Sequence, residues 1–322
     1  MLAVQASRAG GPDVLEAVEV AQPTPRPNQI LVRHAAIGLN FIDTYQRSGL
    51  YPIRFPAVLG QEGAGVVESV GADATRFKPG DRVAYSGQGG AYAEFQVVPA
   101  ARAVALPEAV SFEAAAASLL KGMTTEFLLR RCYPVKAGET ILVHAAAGGV
   151  GTLMVQWAKA LGAIVIGTVG SEAKAEHARA LGCDHVILYR HEDVAARVRE
   201  ITGGAGVPVA YDSVGKDTFE GTLGSLARRG LFVTFGNASG PVPAFEPARL
   251  QRAGSLFLTR PTLVDYIATP EELDASAGAL FAMIGAGKLR IEIGQRFKLG
   301  EARKAHEALE SRETIGASLL IP

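Results

Sequence analysis

The pattern of hydrophobic and polar residues divides the chain into three segments that differ in predicted secondary structure. In the first, residues 1–120, short apolar or alternating runs are separated by turn residues, which predicts a β-rich domain. The predicted strands of this segment are 29–33, 65–70, 82–85 and 92–98. Residues 78–81 read Lys-Pro-Gly-Asp, and the Pro-Gly pair favours a tight turn between strands.

The second segment, residues 121–262, alternates apolar runs with amphipathic runs of helical period. The predicted strands are 141–144, 164–169, 185–189, 207–211 and 231–235. The predicted helices are 152–161, 172–181, 193–201 and 218–228. Regular alternation of this kind is typical of an α/β fold, and it predicts a doubly wound parallel sheet of the Rossmann type.

The third segment, residues 263–322, combines one long helical pattern with short apolar runs that end at 318–321. These short apolar runs are like those of the first segment. We therefore expect residues 263–322 to return to the first domain, so that the Rossmann domain is inserted between two parts of a β-rich domain. A length of 322 residues also favours two domains over a single core.

Composition and charge narrow the classes of function. Hydrophobic residues make up 48% and charged residues 20% of the chain, a balance typical of globular proteins. Lys plus Arg and Asp plus Glu both number 32, so the net charge is zero and does not favour binding to nucleic acid or to acidic membranes. The basic pairs Arg130–Arg131 and Arg228–Arg229 are interpreted as solvated helix ends. Two distant cysteines, Cys132 and Cys183, and no membrane-spanning run predict a cytoplasmic protein that binds small molecules.

A glycine-rich turn follows the first strand of the alternating segment. Residues 145–151 read Ala-Ala-Ala-Gly-Gly-Val-Gly, and a helical pattern follows. A turn without side chains before a helix N-terminus lets backbone N–H groups face a diphosphate, and Gly148 and Gly151 provide that space. Ala146 replaces the first glycine of the usual G-x-G-x-x-G pattern. The prediction of a diphosphate site therefore depends largely on the position of this turn in the βαβ series. The alternative is a tight connection whose glycines serve packing only.

The end of the next strand bears on the choice between NAD and NADP. An NAD site normally presents a carboxylate about 20 residues after the glycines, but residues 168–171 read Thr-Val-Gly-Ser. Gly170 and Ser171 offer no acid, and Lys174 lies one turn into a helix, an arrangement that favours a 2′-phosphate. The pattern therefore predicts NADPH. The alternative is that Ser171 caps the helix and Lys174 is a solvated surface residue.

The glycine turn, with Gln156 and Lys159 at fixed offsets, resembles the signature of the quinone oxidoreductase and zeta-crystallin family of medium-chain dehydrogenases/reductases. Further matches occur along essentially the whole chain, at 38–45, 48–52, 121–124, 211–215 and 235–237. This resemblance implies a GroES-like substrate domain joined to the Rossmann domain, and NADPH-dependent reduction of quinones. As in similar proteins, the apolar strand at 256–259 is expected to pair across a homodimer interface, because an exposed apolar edge strand tends to associate with another strand unless it is paired or covered.

The resemblance also implies the residues of the site. The nicotinamide and substrate end would involve Asn40, Tyr45, Tyr51 and Thr124, of which the first three are the candidate catalytic residues. The diphosphate would bind Gly148, Gly149, Val150 and Gly151. The adenosine phosphate would be held by Lys174, Tyr189 and Arg312, in agreement with Gly170 and Ser171 at the strand end. Further cofactor contacts would come from Ser213, Phe235, Gly236 and Asn237.

Two positions depart from the zinc-dependent branch of the superfamily. Asn40 replaces the catalytic Cys of those enzymes, and Gln61 replaces the His of their Gly-His-Glu motif. Amides are poor zinc ligands, so the sequence predicts no metal site. A quinone or conjugated enone is then the expected electrophile, because hydride addition leaves a delocalised oxyanion that Asn40, Tyr45 and Tyr51 could stabilise by hydrogen bonds.

Other interpretations stay open. An NADPH-dependent alkenal or enoyl reductase would share the fold, the cofactor and the missing zinc ligands, and only the resemblance and the lack of an acid for a substrate carbon favour the quinone. A nucleic-acid-binding or structural role, found in some zeta-crystallin relatives, is disfavoured by the balanced charge. Tyr45 and Tyr51 could equally pack against the nicotinamide, and Glu62 is expected to be structural.

Overall fold

The computed structural model describes residues 1–311 and 313–322, and the chain divides into two compact units. The first unit comprises residues 1–123, 267–287 and 291–322, and the second comprises 124–266 and 288–290. These divisions lie a few residues after the predicted boundaries at 120 and 262. The short segment 288–290, which belongs to the second unit, is not part of the prediction.

The amino-terminal part of the first unit consists mainly of strands. In chain order these are β1 Leu2–Ala6, β2 Leu15–Glu19, β3 Gln29–Leu39, β4 Ala57–Val58, β5 Glu62–Val70, β6 Arg82–Ser86, β7 Phe95–Pro99 and β8 Ala103–Ala105. Helix α1 covers Phe41–Ser48, and α2 covers Phe112–Phe127. β3 extends well beyond the predicted 29–33, because the residues up to Leu39 continue to bury side chains in the core of this unit.

The second unit alternates strands and helices. Its strands are β9 Thr140–Val143, β10 Ile164–Val169, β11 His185–Leu188, β12 Val207–Asp212, β13 Leu226–Thr234 and β14 Phe257–Thr259. Its helices are α3 Gly149–Ala160, α4 Glu172–Ala180, α5 Val194–Ile201, α6 Phe219–Ser225, α7 Ala248–Arg252 and α8 Leu263–Tyr266. All strand pairs are parallel in the order β11-β10-β9-β12-β13-β14, the Rossmann arrangement, which confirms the predicted doubly wound sheet.

The boundary between α6 and β13 differs from the prediction. The helix expected at 218–228 ends at Ser225, because Leu226 is fully buried and pairs with Val207 in the sheet. Arg228 and Arg229 therefore lie within β13, and their interpretation as a solvated helix end is wrong. Burial of an apolar side chain in the core outweighs the helical pattern here.

The carboxyl-terminal segment completes the first unit. It contains α9 Pro270–Gly285, β15 Ile293–Lys298, α10 Ala302–Glu310 and β16 Ala317–Ile321. The larger sheet of this unit has the order β15-β16-β3-β5-β6-β8, with β7 also paired to β3, so β16 occupies an interior position. A smaller sheet has the order β2-β1-β4. None of the helices in the described part of the chain is both long and apolar enough to span a membrane.

Candidate functional site

The carboxyl ends of the parallel strands in the second unit bring together most of the predicted cofactor-binding residues. These residues follow β9, β10, β11, β12 and β13, whose carboxyl ends meet at one edge of the sheet. The strand order reverses between β9 and β12, which pair directly. Ligands of open α/β sheets bind outside the carboxyl ends at such a reversal.

The glycine turn connects β9 to α3 at this edge. Gly148 precedes the helix in an extended conformation, with φ −84° and ψ 173°, and its N–H donates to the carbonyl of Ala145 at 2.8 Å. The N–H groups of Gly149, Val150 and Gly151, in the first turn of α3, donate to no acceptor in the described part of the chain. Unpaired N–H groups at a helix N-terminus are donors suited to a diphosphate, so this turn fits the cofactor.

The two outer glycines of the turn have different roles. A Cβ atom at Gly151 would overlap the carbonyl oxygen of Ala145 and approach the backbone of Ala146 at 2.8 Å, so Gly151 permits close packing of the helix on the turn. A Cβ atom at Gly148 would meet only Ala145, at 3.2 Å from its oxygen. Gly148 is therefore the position whose missing side chain leaves room for a ligand.

The end of β10 brings together the residues predicted for the adenosine phosphate. A Cβ atom at Gly170 would lie 3.0 Å from Oη of Tyr189, so these two residues are neighbours. Ser171 precedes α4, and its side chain makes no capping hydrogen bond, which does not support the alternative that its hydroxyl caps the helix. Lys174 is half-buried in the first turn of α4.

Arg190 lies beside Gly170 at the same end of β10, and the sequence did not predict it. A Cβ atom at Gly170 would lie 3.4 Å from its Nε, and the exposed guanidinium has no ion-pair partner within the described ranges. The signal was present, since Arg190 directly follows Tyr189 at the end of a predicted strand. Glu172, the one acid in the first turn of α4, pairs with Arg179 at 2.9 Å, which offsets its repulsion of a phosphate.

The ends of β12 and β13 bring further predicted residues together. A Cβ atom at Gly236 would overlap the carbonyl of Ser213, so the two strand ends are in contact. Buried Asp212 accepts the N–H of Val214 at 2.7 Å and shapes the turn after β12. Arg260, which the sequence reasoning did not single out, donates to the carbonyl of Gly236 at 2.9 Å.

Phe235 and Asn237 flank this glycine at the end of β13. The N–H of Phe235 donates to the carbonyl of Asp212 at 2.8 Å. Asn237 is half-buried. Thr124, on α2, is also nearly buried, with 9% of its surface exposed. Arg312 lies outside the described residues.

In the first unit, the three candidate catalytic residues lie at the start of α1, within it and just after it. Asn40 precedes α1, and its backbone N–H donates to Oδ2 of Asp43 at 2.9 Å. The N–H of Tyr51 donates to the carbonyl of Tyr45 at 3.0 Å, and the two rings meet edge to face with centroids 5.3 Å apart. The structure therefore brings Tyr45 and Tyr51 into contact, a geometry in which aromatic rings stabilise each other.

A chain of buried polar side chains leads from α1 to α10. Tyr92 donates its hydroxyl hydrogen to Asp43 at 3.0 Å and contacts Nε2 of His306 at 3.0 Å. Nδ1 of His306 accepts from Arg47 at 2.9 Å, and Arg47 pairs with Glu310 at 2.6 Å. Because an arginine only donates, Nδ1 of His306 is the acceptor and its proton lies on Nε2.

Burial sets the charge states in this chain. It raises the pKa of Asp43 to about 7, although the N–H of Asn40 and the hydroxyl of Tyr92 act in the opposite direction. Burial and the charge of Arg47 lower the pKa of His306 to about 3. The imidazole is therefore neutral at physiological pH, in agreement with its hydrogen bonds.

The positions that replace zinc ligands are engaged in hydrogen bonds. Nδ2 of Asn40 donates to Glu62 at 2.9 Å, and Nε2 of Gln61 donates to Oε1 of Gln46 at 2.9 Å. Both amides thus use their nitrogens as donors to protein oxygens. Within the described ranges, no group of three or more His, Cys, Asp or Glu residues is arranged to hold a metal ion.

Known proteins resemble this chain over nearly its whole length. Residues 26–108 match the family model of the alcohol dehydrogenase GroES-like domain, and residues 149–274 match that of zinc-binding dehydrogenases. The chain is 54% identical to a quinone oxidoreductase of Pseudomonas aeruginosa, over 99% of both chains. It is 43% identical to a 2-haloacrylate reductase of a Burkholderia species, over 100% of this chain and 99% of that protein.

A solved structure gives the same fold. The quinone oxidoreductase of Escherichia coli complexed with NADPH matches 100% of both chains with a TM-score of 0.99 and 50% identity. The GroES-like domain and the Rossmann sheet expected from the sequence are therefore both confirmed.

Proposed function

Because the chain belongs to the quinone oxidoreductase family of the medium-chain dehydrogenase/reductase superfamily, we propose that it reduces quinones with NADPH. The full-length identity of 54% to a quinone oxidoreductase is the observation that carries the proposal. The NADPH complex of a 50% identical structure supports the cofactor. The end of β10, with Lys174 and Arg190 and no acid at Gly170, supports a 2′-phosphate rather than a free ribose hydroxyl.

The cofactor supplies the hydride when it is bound. The unpaired N–H groups of Gly149–Gly151 bind the diphosphate, and Lys174, Arg190 and Tyr189 hold the 2′-phosphate. The turn at Ser213 and the segment Phe235–Asn237 complete the cofactor-binding edge of the sheet.

Asn40, Tyr45 and Tyr51 orient the quinone and stabilise the developing oxyanion by hydrogen bonds. The final proton comes from solvent. We propose that no metal takes part, because Asn40 and Gln61 offer amides that already donate to Glu62 and Gln46. Two free cysteines support a reducing compartment, and we place the protein in the cytoplasm, which cell fractionation tests.

A second candidate substrate is a conjugated alkene. The 43% identity to a 2-haloacrylate reductase favours it, since that name describes reduction of an activated double bond. A carbon atom must then be protonated after hydride addition, whereas a quinone is protonated on oxygen. Solvent protonates oxygen readily, and the quinone therefore remains the first proposal.

The substrate class is tested by following NADPH absorbance with the purified protein. We expect oxidation of NADPH with benzoquinone and a naphthoquinone, and little with a short 2-alkenal, a 2-haloacrylate or, in reverse, an alcohol with NADP. Turnover with the alkenal or haloacrylate alone would replace the quinone by the alkene. Addition of a chelator should leave the rate unchanged, and a loss of activity would contradict the metal-free mechanism.

We also propose that the protein is a homodimer joined through β14. This strand is the edge of the Rossmann sheet, and Phe257 is 60% exposed on it. An exposed apolar edge strand is stabilised when a second strand pairs with it. Phe257→Arg is expected to shift the mass in light scattering from that of two chains to one, whereas Ile164→Arg, on an interior strand, should leave a dimer. A wild-type monomer would contradict the proposal.

A further inference from the structure

A buried ion pair lies beside Asn40 in the first unit. Glu62, the first residue of β5, is fully buried, and its Oε2 accepts from Nζ of Lys121 at 3.1 Å and from Nδ2 of Asn40 at 2.9 Å. Its other oxygen accepts the N–H of Leu120 at 2.7 Å. One carboxylate thus joins the start of α1 to α2 through three donors.

The surrounding backbone leaves room for this carboxylate. A Cβ atom at Gly38 would overlap both Oε2 of Glu62 and the carbonyl oxygen of Ala116. The side chain of Lys121 is 6% exposed, so both charges of the pair are removed from water. Removal of one partner from a buried pair is strongly destabilising, because the other charge stays buried.

The pair also determines how the side-chain amide of Asn40 is turned. A carboxylate oxygen only accepts, so the atom of Asn40 that faces Glu62 is the nitrogen. Oδ1 of Asn40 then points away from Glu62, and the Asn40 side chain forms a capping box with Asp43 at the start of α1. The ion pair with Lys121 at 3.1 Å fixes the position of the Glu62 carboxylate, which keeps this arrangement in place.

We propose that Glu62 and Lys121 are positioning residues for the reaction. Their ion pair holds the amide of Asn40 in one orientation, with its second N–H available to the ligand. Neither residue of the pair touches the reacting atoms in this proposal. It rests on the proposed function in one respect, namely that Asn40 contacts the cofactor or the quinone.

Glu62→Gln is the informative substitution, because glutamine has the same shape with only one oxygen. The N–H of Leu120 would take that oxygen, and the new amide nitrogen would face Asn40 and Lys121. Asn40 would then turn its Oδ1 towards position 62. We expect kcat/KM for the quinone to fall by about 10- to 100-fold, mainly through kcat. Glu68→Gln is the matched control, since Glu68 lies on the same strand, is exposed and pairs with Arg33.

A double-mutant cycle separates positioning from general stability. In the Asn40→Ala background, Glu62→Gln is expected to cost less than about twofold in kcat/KM, because the residue through which it acts is absent. An equal fold loss in both backgrounds would show that Glu62 acts independently of Asn40 and would overturn the proposal.

The orientation itself can be measured in the wild-type protein, which keeps the proposal testable if a variant fails to fold. The chain contains three asparagines, Asn28, Asn40 and Asn237, so selective ¹⁵N labelling gives three side-chain amides, assigned with Asn28→Ser and Asn237→Ser. One proton of the Asn40 amide should exchange with solvent about 100-fold more slowly than those of exposed Asn28.

Exchange of the Asn40 amide as fast as that of Asn28 would overturn the proposal. A protected amide combined with full quinone reduction by Asn40→Ala would instead support the positioning of Asn40 and contradict its role in the proposed function. The two proposals can therefore fail separately.

Discussion

Gly151→Ala is expected to destabilise the protein by about 1–3 kcal/mol, because the added methyl group would overlap the carbonyl of Ala145. The neighbouring atoms belong to the backbone of the turn and cannot move aside without distorting β9 or α3. Urea unfolding, followed by far-UV circular dichroism, measures the change. NADPH affinity should fall as well, since the N–H groups of the turn would be displaced.

Gly148→Ala is the matched control within the same turn. Its methyl group would be 3.2 Å from the carbonyl of Ala145, and the φ of −84° at this position suits any residue. We expect stability to change by less than about 0.5 kcal/mol, while NADPH affinity falls because the methyl group occupies the space left for the diphosphate. Equal losses of stability in both variants would show that the two glycines have the same role.

Lys174→Ala is expected to weaken NADPH binding by about 10- to 100-fold, the amount that corresponds to a hydrogen bond with a charged group. Binding of NADH, which lacks the 2′-phosphate, should change by less than about twofold. Fluorescence titration with both cofactors measures the difference. Arg190→Ala should act in the same direction, because its guanidinium lies at the same strand end.

Lys304→Ala is the control for this experiment. Lys304 is an exposed lysine on α10, in the first unit, where it pairs with Glu301. It should leave both affinities unchanged. Equal effects of Lys174→Ala on NADPH and NADH would mean that Lys174 does not bind the 2′-phosphate.

The fold was largely predictable because local patterns and tertiary structure agree along most of the chain. Alternation of strand and helix indicates a parallel sheet before any contact is known. The prediction was wrong where the two conflict: the residues after Ser225 fit a helical period, yet Leu226 pairs with Val207 in the sheet. Similarly, the predicted β3 is too short because the continuous burial of Ala36–Leu39 removes the polar alternation of an exposed strand.

The candidate site was predictable where its residues follow one another in sequence. The glycine turn and the end of β10 are local signals, and their position in the βαβ series indicates their use. Arg260 and Lys121 were not found, because their contacts with Gly236 and Glu62 span 24 and 59 residues. Glu62 was expected to be structural, because the sequence alone reveals neither its ion pair nor its hydrogen bond with Asn40.

The interior position of β16 determines when the first unit can be completed during synthesis. This strand, Ala317–Ile321, pairs with β3 on one side and β15 on the other, and it follows the whole of the second unit in the sequence. The second unit is almost continuous, and only residues 288–290 lie outside 124–266. A ribosome therefore releases nearly all of the Rossmann sheet before β3 can meet the strand that belongs beside it. Until β16 has been synthesised, Ile37–Leu39 of β3 lack their partner on the side opposite β5, although Gln29–Arg33 pair with β7, and deletion of β16 would make that condition permanent.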